Sequence, residues 1–291
     1  MLEQLEIRHS DERGRGLFAC APLPAQSIVL RALPCALVAD DAEARRRCCV
    51  CLARTDRPPC ARCGAAVLCK RCADNAGARM LHDDECAALR LLRDAPAADR
   101  PAGETRSLRL LMRTQLWRWR TTRRPDDEQY TSEWWGAGDA LGDELDDVDD
   151  LAAPPDDSAV WPNLFATAQQ ARYFLPAETR RAHEAVAQLV GGLLCNTLAL
   201  YAEEGGRRRE IGVALSCQAA LLNHDCAGYN CDWQVDADGC VVVRTTRAVR
   251  RGEELLLSYV DPALPGPERR KRLRASFFFE CKCAACRRDV S

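Results

Sequence analysis

The feature that most constrains this chain of 291 residues is a cluster of cysteines and one histidine between residues 48 and 86. Two potential metal ligands separated by two or three residues supply two corners of a tetrahedral zinc site, and eight such ligands fit two closed structural zinc ions. A closed site has no open position for substrate, so this module is expected to fold and recognise rather than catalyse. The ligands form four pairs, which are Cys48 and Cys51, Cys60 and Cys63, Cys69 and Cys72, and His82 and Cys86.

The sequence around these pairs indicates that metal holds the segment together. Residues 48–86 contain few periodic apolar residues, so the free energy of metal binding must supply much of the folding energy. The alternative is a set of incidental buried cysteines, which would make four correctly spaced pairs in thirty-nine residues a coincidence. One position stays open, because Cys49 is adjacent to Cys48 and either thiol can act as the ligand.

Composition limits the classes of protein to which the chain can belong. No apolar run approaches the eighteen residues of a transmembrane helix. The charged N-terminal residues 1–16 lack the apolar core of a secretory signal. We therefore expect an intracellular protein, in the nucleus, the cytoplasm or both, without membrane contact. In such a protein the eighteen cysteines bind metal or lie buried instead of forming disulfides.

The net charge of −2 conceals an uneven distribution. Residues 125–157 carry thirteen Asp or Glu and no Lys or Arg, so the rest of the chain is basic by about eleven charges. We predict a solvated loop or disordered insertion in this acidic segment. The basic residues elsewhere are scattered, so nucleic acid is not an expected partner. The protein is expected to be a monomer.

Hydrophobic periodicity predicts both helices and short strands. Leu17–Ala19 and Ser27–Arg31 are expected to be strands, and apolar residues at helical spacing predict a helix over Leu108–Trp119. A second helix is expected to begin near Pro176 and to bury Val186, Leu189, Val190, Leu193 and Leu194. The last hundred residues change to strand periodicity, with strands at Trp233–Val235, Cys240–Val243 and Glu254–Tyr259 and a hairpin turn at Asp238-Gly239.

Three short motifs in the chain combine residues that suit a catalytic site. They are the turn Arg13-Gly-Arg-Gly16, the segment Asn223-His-Asp-Cys-Ala-Gly-Tyr-Asn230 and the segment Gly252–Tyr259. Taken singly, each has a structural interpretation: Asn223 and His224 as a satisfied polar pair, and Tyr259 as a strand residue with a bonded hydroxyl. A last cysteine cluster follows near the C-terminus of the sequence, at Cys281, Cys283 and Cys286.

In this order the motifs resemble the SET and MYND domain-containing protein-lysine methyltransferases, in which a MYND zinc finger interrupts a SET domain. The resemblance implies an α+β fold of short strands with an inserted finger, flanking helices and a zinc-bound post-SET tail. It divides the chain into an N-terminal SET part (1–47), the finger (48–86), a helical insert with the acidic segment (87–184), the SET core (185–262) and the post-SET region (263–291).

The resemblance also implies roles for matching residues. In the MYND finger the first and third ligand pairs bind one zinc ion and the second and fourth pairs bind another. A third zinc is implied for Cys226, Cys281, Cys283 and Cys286, and Cys217, Cys231 and Cys240 are expected to be core residues. The implied S-adenosylmethionine site consists of Arg13, Gly14, Arg15, Gly16, Asn196, Asn223, His224, Tyr259 and Phe279, with Tyr259 as the catalytic residue.

The implied activity is methyl transfer from S-adenosylmethionine to a lysine of a histone or another protein, by direct displacement that requires alignment and a neutral amine. The family usually has Asn-His-Ser-Cys-x-Pro-Asn, whereas this chain has one more residue, no proline and Gly228 for the tight turn. The alternative function is a catalytically weak scaffold or transcriptional co-regulator whose finger binds a partner peptide. A DNA-binding regulator is a third interpretation, and its basic run, residues 268–274, is better explained as a helix.

Overall fold

The computed structural model describes residues 4–10, 12–96, 99, 105–123 and 148–288, with the backbone alone for 121–123. In these ranges the strands are β1 (Leu5–Ser10), β2 (Gly14–Ala19), β3 (Ile28–Ala32), β4 (Ala36–Ala39), β5 (Thr197–Glu204), β6 (Arg207–Leu215), β7 (Asn223–His224), β8 (Cys231–Val235), β9 (Val241–Thr245) and β10 (Leu256–Leu257). The helices are α1 (Lys70–Asp74), α2 (Ala76–Asp94), α3 (Arg106–Arg123), α4 (Trp161–Phe174), α5 (His183–Asn196), α6 (Gly266–Phe277) and α7 (Ala284–Arg288).

The strands form small sheets instead of one broad sheet. β1 and β2 make an antiparallel hairpin, and two antiparallel three-stranded sheets have the orders β3-β9-β8 and β4-β6-β5. β7 and β10 form a parallel pair only two residues long. This pair joins the two candidate catalytic motifs, because Asn223 lies beside Leu256 and His224 beside Leu257.

Two large apolar cores support these sheets. One lies between α2, α3, α4, α5 and the inner face of the β4-β6-β5 sheet, with Leu111, Phe174 and Leu215 almost completely buried. The other fills the space between the β1-β2 hairpin and the β3-β9-β8 sheet, around Leu17 and Val243. The α+β class expected from the sequence is therefore confirmed.

The secondary-structure predictions are confirmed at Leu17–Ala19 and Ser27–Arg31, although β3 begins one residue later, and at Leu108–Trp119 within α3. The strands predicted at Trp233–Val235 and Cys240–Val243 correspond to β8 and β9 around the Asp238-Gly239 turn, although β9 begins one residue later, at Val241. The expected strand Glu254–Tyr259 is reduced to β10, because Glu254 and Leu255 pair with β2 and the Tyr259 N–H donates to a side chain.

The start of the second predicted helix is wrong. Pro176 precedes a single 3-10 turn, Ala177–Thr179, and α5 begins at His183. Extended backbone at Arg180 and Ala182 separates the two. The buried face is as predicted except for Leu194, which is exposed.

The acidic segment is only partly described. The prediction of a loop or disordered insertion for residues 125–147 lies outside the described residues. For the next three residues the prediction of a loop is wrong, since Val148–Asp150 is a 3-10 turn with Val148 buried. Asp149 forms ion pairs with Arg118 and Arg181, so basic groups of the folded body hold this part of the acidic segment in place. Within the described ranges no helix is long and apolar enough to cross a bilayer.

Substitution of two leucines on α5 tests the position of the apolar core between the helices and the β4-β6-β5 sheet. Leu189 is 2% exposed and Leu194 is 46% exposed. Leu189→Ala is expected to lower the free energy of unfolding by about 2–5 kcal/mol, because it leaves a cavity in a packed core. Leu194→Ala, the matched control, is expected to change it by less than about 1 kcal/mol. Urea denaturation at fixed zinc concentration measures both, and equal effects would contradict this position of the core.

Candidate active site and metal centres

The eight predicted ligands of the finger gather into two tetrads. One contains Cys48, Cys51, Cys69 and Cys72, and the other contains Cys60, Cys63, His82 and Cys86, with all ligand atoms of a tetrad within 4.8 Å of one another. The first and third ligand pairs therefore share one cluster and the second and fourth share the other, as the resemblance implied. The short pairs come from turns, and α1 and α2 supply Cys72, His82 and Cys86.

The distances within both finger tetrads suit zinc. A tetrahedral ion with Zn–S bonds of about 2.3 Å places its sulfurs about 3.8 Å apart. The Sγ atom of Cys51 lies 3.7 Å from that of Cys69 and 3.6 Å from that of Cys72. In the second tetrad the Cys60 and Cys86 sulfurs are 3.9 Å apart. The residues present therefore fit a structural zinc at each position.

Cys48, not its neighbour, belongs to the first tetrad. Its side chain is completely buried among the ligands, whereas Cys49 faces His82 and Glu85. The ambiguity between the two adjacent cysteines is thus resolved in favour of Cys48.

The C-terminal cysteines form a third tetrad with the cysteine of the Asn-His motif. Cys226 lies 3.8 Å from Cys281 and 3.5 Å from Cys286, and Cys283 completes the group. Burial and the neighbouring sulfurs raise the pKa of Cys281 to about 11. Ionising these four neighbouring thiols is therefore costly without a cation among them, and this donor set fits zinc.

The turn between β1 and β2 lies against Asn223. The amide Nδ2 of Asn223 donates to the carbonyl of Arg15 at 2.9 Å and to Oε1 of Glu254 at 2.8 Å. Gly16 permits this approach, because a Cβ atom there would lie 2.6 Å from Glu254 Oε1 and 2.8 Å from Asn223 Nδ2. Gly14 has a φ of +73°, which favours glycine.

His224 connects this motif to Tyr259. The backbone N–H of Tyr259 donates to Nδ1 of His224 at 3.0 Å. Burial lowers the pKa of His224 to about 4, so the imidazole is neutral and its proton is on Nε2. That nitrogen lies 3.1 Å from Cys226 Sγ and donates to it. One neutral ring thus links the tyrosine to the third tetrad.

Aromatic rings surround the Tyr259 side chain. Its ring centroid lies 4.8 Å from that of Phe277, 5.2 Å from that of His224 and 6.5 Å from that of Phe279. The hydroxyl donates to the carbonyl of Leu222 at 2.7 Å. Burial raises the pKa of Tyr259, so the phenol stays protonated at neutral pH and is a donor.

The structure brings most predicted site residues together and places two at the edge of the group. Arg15 donates to the carbonyl of Asp150, and Asn196 donates to the carbonyls of Ala152 and Gly192. The side chains of these two residues therefore meet residues 150–152, and only the backbone carbonyl of Arg15 contacts Asn223. Cys217, Cys231 and Cys240 are buried outside the tetrads, as expected.

Three charged residues at the site were missed by the sequence interpretation. Glu254 bonds Asn223, Asp225 lies between two motif residues, and Arg269 of α6 is buried close to the third tetrad, where the Cys226 and Cys286 sulfurs raise the pKa of its guanidinium. Glu254 lies inside the Gly252–Tyr259 motif, and its position five residues before Tyr259 is its one signal in the sequence.

Asn230 has a structural role. It is completely buried, and its side chain bonds the carbonyl of Glu254 and the N–H of Leu256, both at 2.8 Å. These bonds hold the segment before β10 beside the Asn-His motif. The extra residue of the motif therefore does not displace Asn230 from this role.

Comparisons with known proteins agree with this geometry. Histone-lysine N-methyltransferase SMYD3 of Mus musculus is 35% identical over 94 residues, which cover 32% of this chain and 21% of that protein. Histone-lysine N-methyltransferase Smyd1 of Mus musculus is 23% identical over 302 residues, covering 99% of this chain and 57% of that protein. SET domain and MYND-type zinc finger protein 6 of Schizosaccharomyces pombe is 36% identical over 80 residues, covering 27% of this chain and 16% of that protein.

This chain thus spans a little over half the length of the relative that it matches from end to end. The two tetrads of residues 48–86 are compatible with a MYND zinc finger. The family model described as SET domain matches residues 14–260, from the first glycine of the β1-β2 turn to the residue after Tyr259. Because that match covers most of the chain, the protein belongs to the SET-domain family.

Proposed function

We propose that this chain is a protein-lysine N-methyltransferase that uses S-adenosylmethionine and contains three structural zinc ions. The observation that carries the proposal is the convergence of three motifs: β7 and β10 place Asn223, His224 and Tyr259 beside the β1-β2 turn. The names of the relatives Smyd1 and SMYD3, which are histone-lysine N-methyltransferases, support the same activity. The protein substrate is a histone or another protein with an accessible lysine.

The side chain of Asn223 is suited to hold the methyl donor. Both N–H groups of its amide donate to protein acceptors, which leaves Oδ1 free of hydrogen bonds from the residues that the structure describes. This oxygen accepts a hydrogen bond from an N–H group of the cofactor. S-adenosylmethionine, when bound, supplies an electrophilic methyl group on a sulfonium.

Tyr259, His224 and Phe279 form the wall at which the amine and the methyl donor meet. The protonated phenol of Tyr259 orients the reacting groups and does not act as a general base, since burial raises its pKa. A largely apolar, aromatic wall favours the neutral form of the substrate lysine by penalising the charged form. Aromatic faces also attract a cationic sulfonium.

The third zinc tetrad positions this wall. Phe279 lies two residues before Cys281, and its ring is 5.9 Å from His224, which bonds Cys226. A zinc ion held by Cys226, Cys281, Cys283 and Cys286 would fix the tail against the Asn-His motif. The two finger zincs stabilise the module that is expected to bind a partner peptide.

Binding of S-adenosylhomocysteine tests the cofactor site. Isothermal titration of the zinc-loaded protein is expected to give a micromolar Kd, and Asn223→Ala is expected to abolish binding, because it removes the amide that joins Arg15 and Glu254. Asn163→Ala, an exposed position in α4, is the control and should bind as wild type. A folded, zinc-loaded wild type that does not bind would favour the scaffold function.

Tyr259→Phe tests the catalytic assignment. It keeps the aromatic contacts and removes only the hydroxyl, so we expect kcat to fall by about 10²-fold while the Kd for S-adenosylhomocysteine changes little. The raised pKa of Tyr259 keeps the phenol protonated below pH 10. The shape of the pH–rate profile between pH 7 and 9 should therefore be the same in both proteins. A full rate in the variant would contradict the role of Tyr259.

Metal analysis tests the three zinc sites. Mass spectrometry of metals is expected to find three zinc ions per chain, and Cys286→Ser should remove the third and weaken S-adenosylhomocysteine binding at least tenfold, because it frees the tail that contains Phe279. Cys20→Ser is the control, since Cys20 lies in no tetrad and should leave three zincs. Two zincs in the wild type, together with cofactor binding that Cys286→Ser leaves unchanged, would rule out the third site.

A further inference from the structure

Arg13 lies between two carboxylates that come from different motifs. Its Nη1 is 3.1 Å from Oε2 of Glu254, and its Nη2 is 3.3 Å from Oδ2 of Asp225. The Arg13 side chain is 29% exposed, and those of Asp225 and Glu254 are 13% and 15% exposed. Ion pairs that are mostly withdrawn from water and share one guanidinium are stronger than isolated surface pairs.

Glu254 carries the effect of Arg13 to Asn223. Its Oε2 atom accepts from Arg13, while its Oε1 atom accepts from Nδ2 of Asn223 at 2.8 Å. The two oxygens of one carboxylate therefore connect the cation to the amide. This contact holds the NH₂ end of Asn223 towards the β1-β2 turn, and Oδ1 then faces away from Glu254, towards the proposed cofactor.

Asp225 supplies the second carboxylate and also shapes the longer loop. Its Oδ1 atom accepts from the N–H groups of Ala227 and Gly228, at 3.0 and 2.7 Å, while Oδ2 faces Arg13. One side chain thus closes the turn that replaces the family's proline and binds the arginine.

We propose that Arg13, Asp225 and Glu254 form an ion-pair latch that holds the β1-β2 turn over Asn223 and fixes the orientation of its amide. Arg13 is then a positioning residue and not a contact of the methyl donor. This inference rests on the proposed function, because the latch acts on binding of S-adenosylmethionine. Asp225 stands where the family usually has serine, so the latch compensates for the altered motif of this chain.

Titration with S-adenosylhomocysteine tests the latch in Arg13→Gln, Asp225→Asn and the double variant. Arg13→Gln removes the cation and is expected to raise Kd about tenfold. Asp225→Asn keeps the turn-closing oxygen but loses the charge, and it is expected to raise Kd about threefold. If the two residues act through one contact, the double variant is expected to stay near tenfold instead of reaching the product of about thirtyfold.

Two further variants separate a latch from general structural damage. Glu12→Gln removes an exposed charge from the same turn and should leave Kd unchanged. Arg13→Lys keeps the charge but offers one ammonium to two carboxylates, so it should recover part of the lost affinity. All variants should keep a Tm within about 3 °C of wild type and the same zinc content as wild type, because none removes a core side chain or a zinc ligand.

The outcomes distinguish the two proposals. Wild-type binding with the expected changes in the Arg13 and Asp225 variants supports the latch. If the wild type binds and Kd is unchanged in both single variants, the latch is overturned and the proposed function stays intact. A double variant whose Kd rises by the full product of about thirtyfold has the same consequence. A zinc-loaded wild type that does not bind S-adenosylhomocysteine overturns the proposed function and the latch together.

Discussion

The hydrogen bond between the Tyr259 backbone and His224 is the contact on which the site depends. This hydrogen bond forms because β7 and β10 pair in parallel, and the pairing aligns the Asn-His motif with the segment that ends at Tyr259. The pair is only two residues long. So short a parallel pair has little stability of its own. The surrounding contacts must therefore hold it, and one of them is the fully buried side chain of Asn230, which bonds Glu254 and Leu256.

A buried ion pair joins the finger to the helices and sheets around it. Arg113 of α3 donates to both oxygens of Glu85 and to the carbonyls of Leu37 and Cys49. Glu85 adjoins Cys86 and lies 3.8 Å from Nδ1 of His82. Burial opposes ionisation of Glu85, but Arg113 outweighs it and lowers the pKa of this carboxyl. One guanidinium thus connects the second finger tetrad to β4.

The sequence predicted which cysteines gather into tetrads and which motifs lie together, for a physical reason. Metal ligands must come in short pairs, and residues such as Asn223 and Tyr259 lie in contiguous motifs, so both signals are local. The tertiary contacts were not visible in the sequence. The folding of Val148–Asp150 depends on Arg118 and Arg181, and the start of α5 at His183 follows extended backbone that no periodicity marks. Local composition therefore predicted a loop where remote arginines impose order.

The altered motif shows how a change in one loop is absorbed by charges elsewhere. A residue added between Cys226 and Asn230 lengthens a loop whose ends are fixed, Cys226 in the third tetrad and Asn230 in the core. The added length therefore has to be taken up in the turn itself, where Asp225 accepts two backbone N–H groups. A serine hydroxyl can bond such a turn only more weakly and offers no charge to Arg13. The aspartate therefore meets two requirements that the longer loop imposes, and Arg13 neutralises the carboxylate that results.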